Sequence, residues 1–186
     1  MRVFGIDPGS DSTGYGCVES DGVRHRLVAF GAVRAGRSAS FPDKLAAIHH
    51  ELAARLAECR PDAVAIENLF HAVNVRSALK LGHARGVAML AAVEAGMTIT
   101  EYTPSEIKRA VVGYGRAEKA QVQQMVKILL GLDRVPSPHD AADALAVAIC
   151  HLHLDRPALA RAVASSGAAA GDRPRSWRQY RPPTRA

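Results

Sequence analysis

Short apolar runs alternate along this chain with longer stretches in which apolar residues recur every three or four positions, and the two periods divide it into strands and helices. Arg2–Asp7 (RVFGID) reads as a buried strand stopped by the turn Pro8-Gly9-Ser10. Thr13–Glu19 and Val23–Val33 read as two further strands, with Ser20-Asp21-Gly22 marking the turn between them, so an antiparallel meander opens the fold. The period changes at Phe41–Cys59, where Leu45, Ile48, Leu52 and Leu56 fall on one helical face. Arg60-Pro61-Asp62 ends that helix before a short apolar strand, Ala63–Glu67. A helix is expected over Asn74–Ala95, a strand over Met97–Tyr102, and helices over Pro104–Val112, Ala117–Leu130 and Pro138–His153. An opening meander followed by alternating strand and helix predicts an α/β fold, a mixed sheet covered by helices.

Four acids stand where these elements end or begin. Asp7 and Glu67 close apolar strands, and Asp140 and Asp143 open the last helix in HDAADALAVA. An ionised carboxylate buried without a partner costs several kcal/mol or takes up a proton, so acids that end core elements are expected to meet a cation. Oxygen donors suit a hard divalent ion, Mg²⁺ or Mn²⁺, and there is no Cys/His cluster of the kind that suits zinc. Convergent carboxylates holding Mg²⁺ cut or transfer phosphate esters. On the helical wheel Asp140, Asp143, Ala144, Val147 and His151 share one side, and Ala141 and Ala142 predict close packing on the sheet. Plainer readings exist for two of the acids: Asp7 as a turn former before Pro-Gly, and Asp140 as a complement to the helix dipole. They account less well for Glu67 and Asp143. If the first and fourth strands are adjacent and parallel, Asp7 and Glu67 reach the same rim of the sheet.

The bulk numbers add boundaries. At 186 residues, 48% of them hydrophobic, the chain is the size of one ordinary domain. Its formal charge of +6 says little about that domain, because the stretch 155–186 carries seven Arg and two Asp, leaving 17 basic against 16 acidic residues in the body. Cys17, Cys59 and Cys150 are far apart and set in apolar contexts, as buried reduced thiols of a cytosolic protein would be. Neither an export signal nor a membrane-spanning segment is read in the sequence, so a cytoplasmic protein without a membrane partner is expected. The stretch 155–186, rich in Arg, Ala and Pro, is expected to be a disordered tail.

Taken in order, GIDPGSDSTGYG, AIENLF, SALKLGHARGVAMLAAVEAG, VVGYGRAEKAQVQQMV and DAADALAVAICH resemble the RuvC family of Holliday-junction resolvases over about Met1–Leu154. The resemblance implies a ribonuclease H-like fold, a five-stranded mixed sheet flanked by helices, as a nuclease domain over residues 1–154. It places the family's metal-binding catalytic acids on Asp7, Glu67, Asp140 and Asp143, with two Mg²⁺ per site for which Mn²⁺ can substitute. Some members carry histidine where Asp140 stands; here His139 precedes it, a further metal-site candidate beside its ordinary reading as a helix-start histidine. Lys108 and Lys119 match positions that contact backbone phosphate, and Phe70 matches an aromatic that stacks on junction bases. Arg76, Lys80 and Arg85 are further DNA-contact candidates. The implied reaction is a pair of symmetric nicks in a four-way DNA junction, leaving 5′-phosphate and 3′-hydroxyl ends, in recombination and repair. A homodimer matches the two-fold symmetry of such a junction, and the family works with a branch-migration motor. Hydrolysis of this kind needs no covalent intermediate, and the scattered Ser, Cys and His residues form no arrangement that would supply one.

Gly82 and Gly86 have the spacing that lets two backbones approach; the partner is either the helix's own sheet or, as the resemblance implies, a second copy. Three rival functions share parts of the pattern. GIDPGSDSTGYG also resembles the first phosphate loop of actin-like ATPases, but the chain is too short for their two halves and lacks a second glycine-rich turn. A ribonuclease of the same fold would keep the acids and change the substrate. A junction-binding protein that does not cut would have no use for all four.

Overall fold

The computed structural model describes residues 1–34, 36, 38–68 and 74–154. Five strands and five helices follow one another as β1 (Arg2–Asp7), β2 (Thr13–Ser20), β3 (His25–Val33), α1 (Phe41–Cys59), β4 (Ala63–Glu67), α2 (Val75–Glu94), β5 (Ile99–Tyr102), α3 (Pro104–Val112), α4 (Lys119–Leu129) and α5 (His139–Leu154). The sheet runs β3-β2-β1-β4-β5. The meander β1–β2–β3 is antiparallel, while β4 and β5 join it parallel, each reached through a helix. This is the mixed, helix-flanked sheet that the sequence predicts.

The ends of the elements follow local chemistry. Helix α1 starts at Ser40, whose hydroxyl accepts from the Asp43 N–H while the Asp43 carboxylate accepts from the Ser40 N–H. Thr103 and Glu106 form the same reciprocal cap on α3, followed by Pro104, and Gly113 stops that helix at φ 98°. Strand β3 begins two residues later than expected, because Asp21 accepts the N–H groups of both Val23 and Arg24 and holds the turn open. Strand β5 begins at Ile99 rather than Met97, whose N–H is still tied back to Ala92 at the end of α2.

Alternation along the strands sorts two faces. Phe4, Ile6, Tyr15, Cys17, Val64 and Ile66 pack with α1 and the alanine face of α2. Val3, Val18 and Ala65 face the other way, into the layer built by α3, α4 and α5. On that side the central strands are small, and α5 takes advantage of it. A Cβ on Gly5 would lie 2.1 Å from the Ala144 carbonyl oxygen, and one on Gly14 would lie 1.9 Å from that of Asp140. Helix α5 therefore lies almost in contact with the sheet, and from Ala141 to Leu152 it is buried except at Asp143. The polar side of its wheel is consequently not a surface stripe: His151 is buried and shares a 2.9 Å hydrogen bond with the Tyr102 hydroxyl.

Candidate active site

The strand period and the parallel pairing together deliver Asp7 and Glu67. Side chains alternate, so in β1 the series Val3, Gly5, Asp7 and in β4 the pair Ala65, Glu67 project toward α5. The register sets Gly5 beside Ala65 and Ile6 beside Ile66, bringing the two acids to one rim. Asp143 arrives from the first turns of α5, and the close seat of that helix on Gly14 fixes its depth.

Asp7, Glu67 and Asp143 line one cavity of about 290 Å³ with Pro104, Ile107, Lys108, Lys119, Val122 and Ala146. Burial, then the neighbouring Glu67, then the charges of Asp143 and Asp140 push the Asp7 carboxyl up to about 9. Burial also raises Glu67, opposed by Lys119 and Lys108, and the two carboxyls are joined by a hydrogen bond. Such a pair holds a proton where a free acid would be ionised. The other two acids have partners of their own. Asp143 receives the Lys119 ammonium at 2.5 Å, and the buried Gln123 amide donates to its other oxygen at 3.4 Å. Asp140 stands outside the cavity lining, with Oδ2 accepting from the Ser12 hydroxyl at 2.6 Å and facing the Arg34 guanidinium at 3.6 Å.

Among the described residues no three Asp, Glu, His or Cys side chains are drawn tightly enough together to enclose an ion as they stand. The donor set is nevertheless that of a hard cation: carboxylate oxygens around a buried acid whose proton a divalent ion would replace. His139 does not reach the carboxylates directly. Its Nδ1–H donates to Gln123 Oε1 at 3.1 Å, so it touches Asp143 only through the Gln123 amide.

The remaining candidates are spread more widely. Lys108 lines the cavity. Arg76 is exposed at the start of α2, and Lys80 lies over the Phe41 ring at 5.7 Å. Arg85 is turned to Glu101 in an ion pair on β5 and is not brought to the acids. Phe70 lies outside the described residues, as does the 155–186 stretch. Sequence reasoning passed over Gln123, Ser12 and Arg34. Gln123 was detectable as a polar residue on the buried stripe Val122, Val126 of α4, whereas the meeting of Ser12, just before β2, and Arg34, just past β3, with Asp140 of α5 has no local signature.

Residues 3–151 match the family model described as crossover junction endodeoxyribonuclease RuvC. The crossover junction endodeoxyribonuclease RuvC of Trichlorobacter lovleyi is 52% identical over 182 residues, 98% of this chain and 100% of that protein. Its counterpart from Koribacter versatilis is 56% identical over 154 residues, 82% of this chain and 93% of that one. Among solved structures, T. thermophilus RuvC in complex with a Holliday junction substrate aligns with a TM-score of 0.80 at 36% identity, covering 86% of this chain and 97% of that chain. The yeast mitochondrial Holliday junction resolvase Ydc2, 14% identical with a TM-score of 0.61 and covering 87% of this chain and 80% of its own, shares the fold. With its sheet order, its rim of acids and these likenesses in agreement, this chain belongs to the RuvC family of crossover junction endodeoxyribonucleases.

Proposed function

We propose that the protein resolves four-way DNA junctions by paired nicks, with Asp7, Glu67, Asp140 and Asp143 holding the catalytic metal. The observation that carries this reading is the single cavity shared by Asp7, Glu67, Asp143, Lys108 and Lys119 in a chain of this family. RuvC nucleases are metal-dependent, and Mg²⁺, two ions per site with Mn²⁺ as a substitute, suits these oxygen donors. Bound there, Mg²⁺ supplies a water activated for in-line attack and charge stabilisation for the leaving 3′-oxygen, giving 5′-phosphate and 3′-hydroxyl ends. Lys108 and Lys119 bring positive charge to the wall facing the acids, where they would hold the scissile strand by its phosphates without reading sequence. Gln123 orients Asp143 by donating to one of its oxygens, and His139 in turn orients the Gln123 amide. Phe70, next to β4 in sequence, is retained as the base-stacking residue, and Arg76 and Lys80 as contacts to more distant phosphates.

A homodimer through α2 is part of the same proposal. The helix exposes Val75, Leu79, Leu90 and Val93. Among the described residues a Cβ built on Gly82 or Gly86 meets no atom within 4 Å, so these glycines do not serve packing on the described sheet. An apolar strip with an open small-residue track suits a second copy of itself. Cooperation with a branch-migration motor is carried from the family resemblance, and a cytoplasmic location from the free, buried thiols Cys17, Cys59 and Cys150. Among the described residues no helix is long and apolar enough to cross a membrane.

The test is incubation of purified protein with labelled four-way junction, linear duplex and RNA–DNA hybrid, with Mg²⁺ and with chelator. Symmetric, ligatable nicks confined to the junction and abolished by chelator are expected. Cutting of the hybrid instead, or tight junction binding without a nick, would overturn the assignment.

A further inference from the structure

The acids at the start of α5 are flanked by two cations from opposite sides of the site. Lys119, from the first turn of α4, meets Asp143, and Arg34, just past the end of β3, meets Asp140. Lys119 lines the cavity and belongs to the phosphate-holding wall already proposed. Arg34 has the same relation to its own acid on the far side. Its guanidinium approaches Asp140 Oδ2 at 3.6 Å, its Nε–H donates to Ser12 Oγ at 3.2 Å, and the Ser12 hydroxyl donates to the same carboxylate oxygen at 2.6 Å. Asp140 Oδ1 has no hydrogen-bond partner among the described residues.

We propose that Arg34 is a phosphate-contact residue of the nuclease site, seated on Asp140 and transferred to a DNA phosphate when that carboxylate is given to a metal. The inference rests on the metal-dependent nuclease reading above and goes beyond it in naming a DNA contact on the meander side and a condition for it. Geometry supports the transfer. The Arg34 side chain is 60% exposed, so it can leave Asp140 without unfolding anything, and its contact is the long, exposed kind that contributes little. A guanidinium is also the group best shaped to take a phosphate with two donors at once. Ser12 marks the resting position, since its hydroxyl is held by both partners in the exchange. With Lys119 on one side and Arg34 on the other, a strand crossing the acids meets a cation before and after the scissile phosphate. Both cations compete for the metal's ligands until DNA arrives, so metal and junction should favour one another's binding, as linkage requires of any such exchange.

The test compares wild type, Arg34→Gln and Arg34→Lys in three measurements. Junction affinity is titrated against salt in chelator and again in Ca²⁺, Mn²⁺ binding to the DNA-free protein is followed by electron paramagnetic resonance, and nicking is assayed in Mg²⁺. In chelator the three proteins are expected to show the same salt slope. In Ca²⁺ the wild-type slope is expected to exceed that of Arg34→Gln by about 0.9, the increment for one phosphate contact, with Arg34→Lys retaining most of it. DNA-free Arg34→Gln is expected to bind Mn²⁺ roughly two- to fivefold more tightly, because an exposed competing ion pair has been removed. Equal slopes in Ca²⁺, a slope difference already present in chelator, or weaker Mn²⁺ binding by Arg34→Gln would each overturn the exchange while leaving the nuclease reading intact. Absence of metal-dependent nicking by wild type would overturn both.

Discussion

Replacing Gly14 by alanine tests whether the depth of α5 in the sheet sets the geometry of the acids. The added Cβ would lie 1.9 Å from the Asp140 carbonyl oxygen and 2.4 Å from its carbonyl carbon, where 3.0 Å is the practical floor, a shortfall of 1.1 Å against rigid backbone. No flexible side chain can yield there, so α5 must lift at the turn that carries Asp140 and Asp143. Overpacking of this kind costs about 1–3 kcal/mol, which for a chain of this size corresponds to a fall in Tm of roughly 2–12 °C. Displacing catalytic groups by about 1 Å costs on the order of a hundredfold in rate. The expected result is therefore a folded protein, modestly less stable, that nicks junctions about a hundredfold more slowly in saturating Mg²⁺. Gly14→Ala with wild-type melting and wild-type nicking would refute the claim that this contact positions the acids.

Asp7→Asn is expected to bind junctions and not nick them. The same variant has a stability signature: Asp7 and Glu67 are raised in the folded state, so their contribution is fully present below the unfolded carboxylate pKa and is lost as pH rises toward about 9. Metal-free wild type should accordingly melt lower at pH 9 than at pH 6, and Asp7→Asn should flatten that dependence; equal slopes by calorimetry would contradict the buried-pair account. Gln123→Leu removes the donor to Asp143 and is expected to weaken Mn²⁺ binding about tenfold or more, with unchanged affinity counting against an orienting role. Gly82→Leu fills the open track on α2 and is expected to shift the protein from dimer to monomer in sedimentation without lowering monomer stability; a persisting dimer would place the interface elsewhere.

The sequence disclosed the elements because each carries its own punctuation. Ser40 with Asp43 and Thr103 with Glu106 announce their helices locally, and β1 and β4 are uninterrupted apolar runs ended by an acid. Two of the boundaries that moved, at His25 and Ile99, were set by a side-chain turn at Asp21 and by a backbone bond from Met97 to Ala92, which periodicity does not register. The gathering of Asp7, Glu67 and Asp143 was legible because parallel pairing of β1 and β4 could be supposed and the wheel of the last helix offered the third member, which the family pattern then matched. The partners of these acids were not legible. Lys119 was marked as a phosphate contact, but that it sits on Asp143 depends on how α4 leans against α5. Likewise Arg85, one of several basic residues on α2, is turned to Glu101 by the crossing of α2 over β5, a pairing that charge counting cannot foresee.

Helix α5 is the last of the described elements to be made and the one that covers the glycines of the sheet. Asp7 and Glu67 belong to strands synthesised early, whereas Asp140 and Asp143 are made more than seventy residues after Glu67, on the helix that covers Gly5 and Gly14. Because a domain folds as a unit, a nascent chain that has already made Asp7 and Glu67 still lacks the helix that brings Asp143 to them. Until α5 docks, the glycine-lined face of the sheet is bare, so the step that hides this face from aggregation is the same step that arms the enzyme. On the proposed metal site, a chain that ends before His139 is expected not to nick junctions, because Asp140 and Asp143 are missing from it.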